Sequence, residues 1–344
     1  MSQTSVANVW TSSPVLVHKS LSTNQTPTIM KKLRYLLMAI GAGLLFGLQS
    51  CDWKKALTQA EDDTTSSDSV SAPQYCTVEF VDSVSIVNSN AYQSIKVDFP
   101  AEEDTSVVAQ NVLAWLCDEV RRCCYPDWSG ERLRNDSVAQ VLETAGETFA
   151  EAFVKTYGQK GLKLMGEDVR SMAEEGFEGS YLNDLTIELS EQTDSYLTFT
   201  SGYEVYTGGA HGGYSSEGAT FSKTDGKRMG WNMFDPTKRA ELVAQLKKGL
   251  MDYFNDATED KITTDSALFE QLMLWDDPET PENELEYGIP LPKSEPYVTR
   301  NGIVFTYQQY EIAAYACGLP SCVLPVSALA SCLSAEGKAF LGVH

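Results

Sequence analysis

The chain has 344 residues, 42% of them hydrophobic and 22% charged, which is enough apolar material for one or two folded domains. Its 48 acidic residues outnumber 26 basic ones, and a formal net charge of −22 excludes sequence-independent binding to nucleic acid. Three histidines (His18, His211 and His344) are too few for a histidine-rich metal centre or for most two-histidine catalysis, so no metal and no cofactor is expected.

Residues 1–29 contain one lysine and no acid, and read as an extension upstream of a true initiator at Met30; a cytoplasmic tail is the alternative. Residues 30–50 read as a lipoprotein signal peptide. Met30-Lys31-Lys32-Leu33-Arg34 is basic, and the apolar run from Tyr35 to Leu48 would span roughly 21 Å as a helix, short of the ~30 Å hydrocarbon core. The run ends in Leu48-Gln49-Ser50-Cys51, which resembles the lipobox of bacterial lipoproteins. Small residues before the cysteine let a signal peptidase reach the bond, and the thiol carries the lipid. Cys51 is therefore the expected lipidation site, and its acyl chains would hold the protein to a membrane face. Loss of residues 1–50, with four basic residues and no acid, would take the net charge to −26. Residues 51–74 follow as a tether rich in Asp, Ser and Thr, too polar to fold alone. The expected location is the cell envelope, anchored to the outer or cytoplasmic membrane and facing periplasm or exterior.

Seven cysteines remain beyond Cys51, an odd number, so at least one stays free or pairs outside the chain. Buried thiols or partial disulfides are expected. Cys317 and Cys322 flank Gly318-Leu319-Pro320, a turn that could bring them within reach of each other.

Alternation predicts strands over 75–86 and 94–99. A helix opening at Asp104-Thr105 follows, with Val108, Val112, Leu116 and Val120 on one face. A second helix is predicted from Asn135-Asp136-Ser137 through Phe149 and Phe153. Strands are predicted over 185–189 and 196–206, then at 218–222 and 228–231 about the turn Thr224-Asp225-Gly226-Lys227. Asp235 and Pro236 open a third helix, with Leu242, Leu246, Leu250 and Phe254 on its stripe. A helical stretch over 266–274, an acidic proline-rich loop over 276–295, and a hairpin over 297–307 about Asn301-Gly302 complete the reading. Strands and helices are grouped, so the expected fold is α+β with a largely antiparallel sheet. The expected domains are 75–190, an N-terminal α+β module, and 191–344, a C-terminal domain.

One stretch is distinctive. In Tyr203-Glu204-Val205-Tyr206-Thr207-Gly208-Gly209-Ala210-His211-Gly212-Gly213-Tyr214, four glycines surround the only internal histidine. No Lys-Ser/Thr follows, so it is not a phosphate loop. This run resembles one in the C-terminal extracellular domain of RsiV-type anti-sigma factors, a module that also accompanies PdaC-type peptidoglycan deacetylases. The resemblance continues through Thr224-Asp225-Gly226-Lys227, Trp231-Asn232-Met233-Phe234, the stretch Asn301 to Ala313, and Cys322-Val323-Leu324-Pro325. It covers roughly residues 195–333.

The resemblance implies an extracellular module without assigned catalytic residues, and lysozyme as a partner, as in the RsiV-type proteins. Neither an anti-sigma segment nor a deacetylase metal triad is legible here. The expected function is a non-catalytic, lipid-anchored envelope protein that binds a lysozyme-like protein or cell-wall peptidoglycan. Its ligand contacts are expected at Tyr206, Thr207, Gly208, Gly209, His211, Gly212 and Tyr214. Tyr203 and Trp231 could extend an aromatic platform there, or serve as sheet core. A glycan-modifying enzyme and a structural envelope lipoprotein are the alternatives, and no particular carboxylate pair stands out for the former.

Overall fold

A computed structural model describes residues 75–126, 146–176, 178–257, 261–273 and 287–344, all within one compact unit, Ser71–His344. The signal peptide, Cys51, the tether and the predicted helix start at residue 135 lie outside the described residues.

The chain enters through a long hairpin. Strand β1 (Tyr75–Ile86) pairs antiparallel with β2 (Ser89–Pro100), in register from Tyr75 opposite Pro100 to Ile86 opposite Ser89. Asn88 takes the left-handed conformation in the tight turn, a role asparagine tolerates. Helix α1 (Val107–Cys123) starts at Ser106, whose side chain accepts from the Ala109 N–H, and buries Val112, Leu116 and Val120 as the stripe predicts.

Helix α2 (Phe149–Glu174) corrects the sequence reading. Phe149 does not lie inside a helix running on from residue 135: Thr148 caps the helix at that point, with Glu151 completing a reciprocal capping box. The helix then continues for twenty-one residues beyond Phe153, burying Tyr157, Leu162, Met165 and Val169 against β1 and β2.

Strand β3 (Ser180–Gln192) lies parallel to β2, and β4 (Tyr196–Tyr206), β5 (Gly213–Ser222) and the short β6 (Arg228–Met229) follow antiparallel. The six-stranded sheet thus runs in the order β1-β2-β3-β4-β5-β6 with one parallel pair. The 190/191 boundary falls inside β3. The two apolar cores divide later, between Phe221 and Met229.

The second core is built on helix α3 (Arg239–Ala257), preceded by a turn that Asp235 caps with Pro236 in first position. Leu242, Leu246, Leu250 and Phe254 are all buried there. Of the stretch predicted as helical over 266–274, residue 274 lies outside the described residues, and those described are helical over α4 (Asp265–Phe269). Its carbonyls then turn back in tight i→i+3 bonds, and Met273 N–H donates to the Ile312 carbonyl instead. Strands β7 (Tyr297–Thr299), β8 (Gly302–Thr306) and β9 (Ser321–Leu324) form a separate antiparallel sheet, closed by α5 (Val326–Leu329) and α6 (Ala335–Leu341).

Three hydrogen bonds in a closed ring join the two sheets. Thr198 Oγ1 donates to the Val298 carbonyl (2.7 Å), the Val298 N–H donates to Thr220 Oγ1 (2.8 Å), and Thr220 donates to Thr198 (2.9 Å). Thr198 and Thr220 face each other across β4 and β5, and all three residues are buried. Beside them Gly218 leaves room for the Tyr297 ring, since a Cβ there would lie 2.7 Å from Cδ2.

Among the described residues all seven cysteines are free thiols, and Cys317 and Cys322 are not bonded to each other. Burial pushes the Cys117 and Cys322 thiols up to about 12, so both stay protonated and unreactive at neutral pH. No helix among the described residues is long and apolar enough to cross a membrane.

Candidate functional site

Residues 207–212 form the loop between β4 and β5, at one end of the large sheet. Gly208 and Gly209 both hold φ of 91°, a conformation that costs a side-chain-bearing residue about 1 kcal/mol or more. Tyr206 Oη donates to the Gly209 carbonyl (3.1 Å) and ties the loop back to its strand. Gly212 allows close approach, because a Cβ would stand 2.6 Å from the Val205 carbonyl oxygen.

The loop presents His211 to a second loop, the one that follows β8. The His211 ring stacks on Tyr315 with centroids 4.0 Å apart, and Tyr310 closes the cluster at 6.3 Å from His211 and 5.9 Å from Tyr315. Nδ1 of His211 lies 2.9 Å from the Gly212 carbonyl, which can only accept, so this nitrogen carries the proton. Nε2 then accepts from Tyr310 Oη at 3.3 Å. His211 and Tyr310 are exposed, and Tyr310 is held at φ 63°, unusual for a tyrosine.

Two glutamines lock this arrangement in place. Over residues 213–218, β5 has no neighbouring strand on its outer side among the described residues, since β6 pairs only with Thr220 and Phe221. Gln308 stands in for one: its Oε1 accepts from the Ser216 N–H (3.2 Å) and its Nε2 donates to the Ser216 carbonyl (2.8 Å). Gln309 Oε1 accepts from the Tyr214 N–H at 2.8 Å. Side-chain amides thus satisfy an edge that would otherwise be open. The half-exposed Tyr214 leans over Gly202, linking the cluster to a groove on the sheet face.

Glu311 anchors the base of the second loop. One carboxylate oxygen accepts from the Gln308 N–H and the other from the Lys293 N–H, both at 2.7 Å. Burial holds its carboxyl above the usual range, outweighing those two bonds and the Lys293 charge, and Glu217 adds to the rise. The folded state therefore binds this proton more tightly than the unfolded chain does. Stability should rise as pH falls from neutral through the raised folded value toward about 4.3, the unfolded value. In Glu311→Gln that slope should flatten, as urea midpoints measured across the same pH range will show; an unchanged slope would assign it to other groups.

The structure brings Tyr206, Thr207, Gly208, Gly209, His211, Gly212 and Tyr214 together in one hairpin end. It does not extend the platform to Tyr203 or Trp231. Tyr203 points under the helices and donates to Asn183 Oδ1 (2.8 Å), while Trp231 packs on Phe234 and Phe305 in the second core. Tyr310, Tyr315, Gln308 and Gln309 were not singled out as site residues. Their signal was the run Tyr307-Gln308-Gln309-Tyr310-Glu311, polar residues breaking the alternation just after a buried strand.

Residues 232–327 match a family model described as "Protein of unknown function (DUF3298)". The chain carries a DUF3298 domain. That domain supplies Gln308 to Tyr315, while His211 and Tyr214 come from the hairpin before it, so the cluster sits where the two meet. A crystal structure of a DUF3298 family member from Bacteroides fragilis is similar in fold, with a TM-score of 0.58 and 18% identity over 79% of this chain and 97% of that one. A DUF3298 family protein from Pseudomonas aeruginosa covers 76% of this chain and 96% of its own, at 12% identity and a TM-score of 0.47. No curated protein matches the sequence.

Proposed function

We propose that this protein is a non-catalytic binding module, lipid-anchored in the cell envelope through Cys51, whose ligand seats on the His211–Tyr310–Tyr315 cluster. The ligand is a lysozyme-like protein or a cell-wall glycan, the reading that the resemblance to RsiV-type extracellular domains supports. The observation that carries it is the cluster itself. Two distant loops spend two left-handed glycines, a strained tyrosine and a pair of glutamine clamps to hold aromatic rings at the surface. Rigid, exposed rings with polar tips are the side chains that dominate binding energy at protein interfaces, and they also stack on sugar rings.

The test is a pulldown of the full chain in detergent micelles against c-type lysozyme and purified peptidoglycan, at low and moderate salt. Saturable binding that survives moderate salt is expected for one of them. Tyr310→Ala and His211→Ala should each weaken it by about tenfold, the loss of one good contact, while thermal stability stays within a degree or so. Binding that both variants leave intact, or that vanishes at moderate salt, would sink the reading.

A further inference from the structure

The two faces of the six-stranded sheet differ. Helices α1 and α2 bury one. On the other, β7 covers the Thr198, Thr220 and Gly218 end, and the remainder over β1 to β4 is uncovered among the described residues. Strand alternation fixes what projects there from β1 to β4: Glu79, Asp98, Asp184, Glu188 and Glu204, with Lys96 as the one cation among the described residues. Lys96 is already bound to Glu188 (2.9 Å), and Asp98 accepts from Thr77 Oγ1 and the Leu189 N–H. Glu79, Asp184 and Glu204 form no ion pair among the described residues. A groove of about 400 Å³ runs across this face, with Asp184, Glu204, Thr200 and Ser216 in its walls and the Tyr214 ring at the end nearest His211.

We propose that this open face docks a basic protein partner, and that the groove takes an arginine side chain from it. The inference rests on the binding-module reading above and names its partner's chemistry. Charge complementarity makes the choice. A second copy would set carboxylates against carboxylates, and an anionic lipid surface would be repelled in the same way. A neutral glycan would bury the carboxylates without neutralising them. A guanidinium satisfies them through paired N–H donors, and its plane stacks on a tyrosine ring, which an ammonium does less well. Burial and the nearby Glu79 charge already hold the Asp184 carboxyl above its usual range, against a hydrogen bond from Ser94; an incoming cation would relieve that.

The experiment reads fluorescence anisotropy of deca-arginine, deca-lysine and an N-acetylglucosamine hexamer against the full chain in detergent. Salt is set at about 0.15 M, where the screening length is about 8 Å. The face variant is Glu79→Gln, Asp184→Asn and Glu204→Gln together. A control with equal charge removed elsewhere carries Glu174→Gln, Asp256→Asn and Glu270→Gln, all exposed. The face variant should weaken deca-arginine about tenfold and the control less than about twofold, with arginine preferred to lysine. Equal losses in both variants would reduce the effect to net charge and overturn the proposal. So would no saturable peptide binding, or hexamer binding that the face variant abolishes. If Tyr310→Ala destroys capture of lysozyme or peptidoglycan while the face variant retains it, the binding module stands and this partner assignment falls.

Discussion

Gly161→Ala is expected to destabilise the protein by about 3 kcal/mol, or roughly 6–12 °C in Tm for a domain of this size. Gly161 sits where α2 crosses the end of α1. A Cβ there would lie inside the van der Waals envelope of the Cys124 carbonyl oxygen, 2.9 Å from its carbon and 3.3 Å from Gln93 Oε1. The clash is with backbone, so no rotamer change relieves it, and the two helices must separate over a close-packed core. The same helix supplies the control. At Gly166 an added Cβ meets only Val84, at 3.7 Å, an ordinary contact. Gly166→Ala should therefore gain about 0.5–1 kcal/mol from helix propensity. Opposite signs from one substitution type on one helix, read by urea denaturation, would confirm the packing argument. Two losses of similar size would refute it.

Thr220→Val should cost about 2 kcal/mol, although it removes no volume. Valine keeps the shape of threonine but leaves the buried Val298 N–H without an acceptor and Thr198 without a donor. An orphaned buried donor costs about 1–3 kcal/mol. Thr198→Val orphans a carbonyl instead, which has a second lone pair to offer and should cost less. Because the ring closes on itself, the double variant should cost less than the sum of the singles. Chemical denaturation of all three variants tests this, and strict additivity would show that the bonds act independently.

Much of the fold was legible because local pattern and tertiary burial agree. β4 alternates cleanly and occupies the span its sequence predicts, Tyr196–Tyr206. The Leu242, Leu246, Leu250, Phe254 stripe is a core face. Where they disagree the sequence misleads. Gly158, Gly161 and Gly166 argue locally against a helix, yet all three lie within α2, and the first two permit approaches that a side chain would block. The pairing of β2 with β3 leaves no local mark, because its partners, such as Asn90 and Ser180, are about ninety residues apart. The site was half legible for the same reason. Gly208, Gly209 and His211 announce themselves, but that Tyr310 and Tyr315 complete the cluster depends on a contact across a hundred positions of chain.

The parallel β2–β3 pair also sets an order of assembly. The β1–β2 hairpin and the β3–β4–β5 meander join near neighbours and close quickly. Their union must wait until residues 101–179 have looped back, a closure that local contacts do not reward. Until then the facing edges of β2 and β3 stand open, with Ile95, Val97 and Phe99 on one and Leu185, Ile187 and Leu189 on the other bared on what becomes the core face. A chain delivered unfolded across a membrane would pass through that interval at the far side. Its yield there would depend on how fast α1 and α2 dock, more than on the stability of the finished sheet.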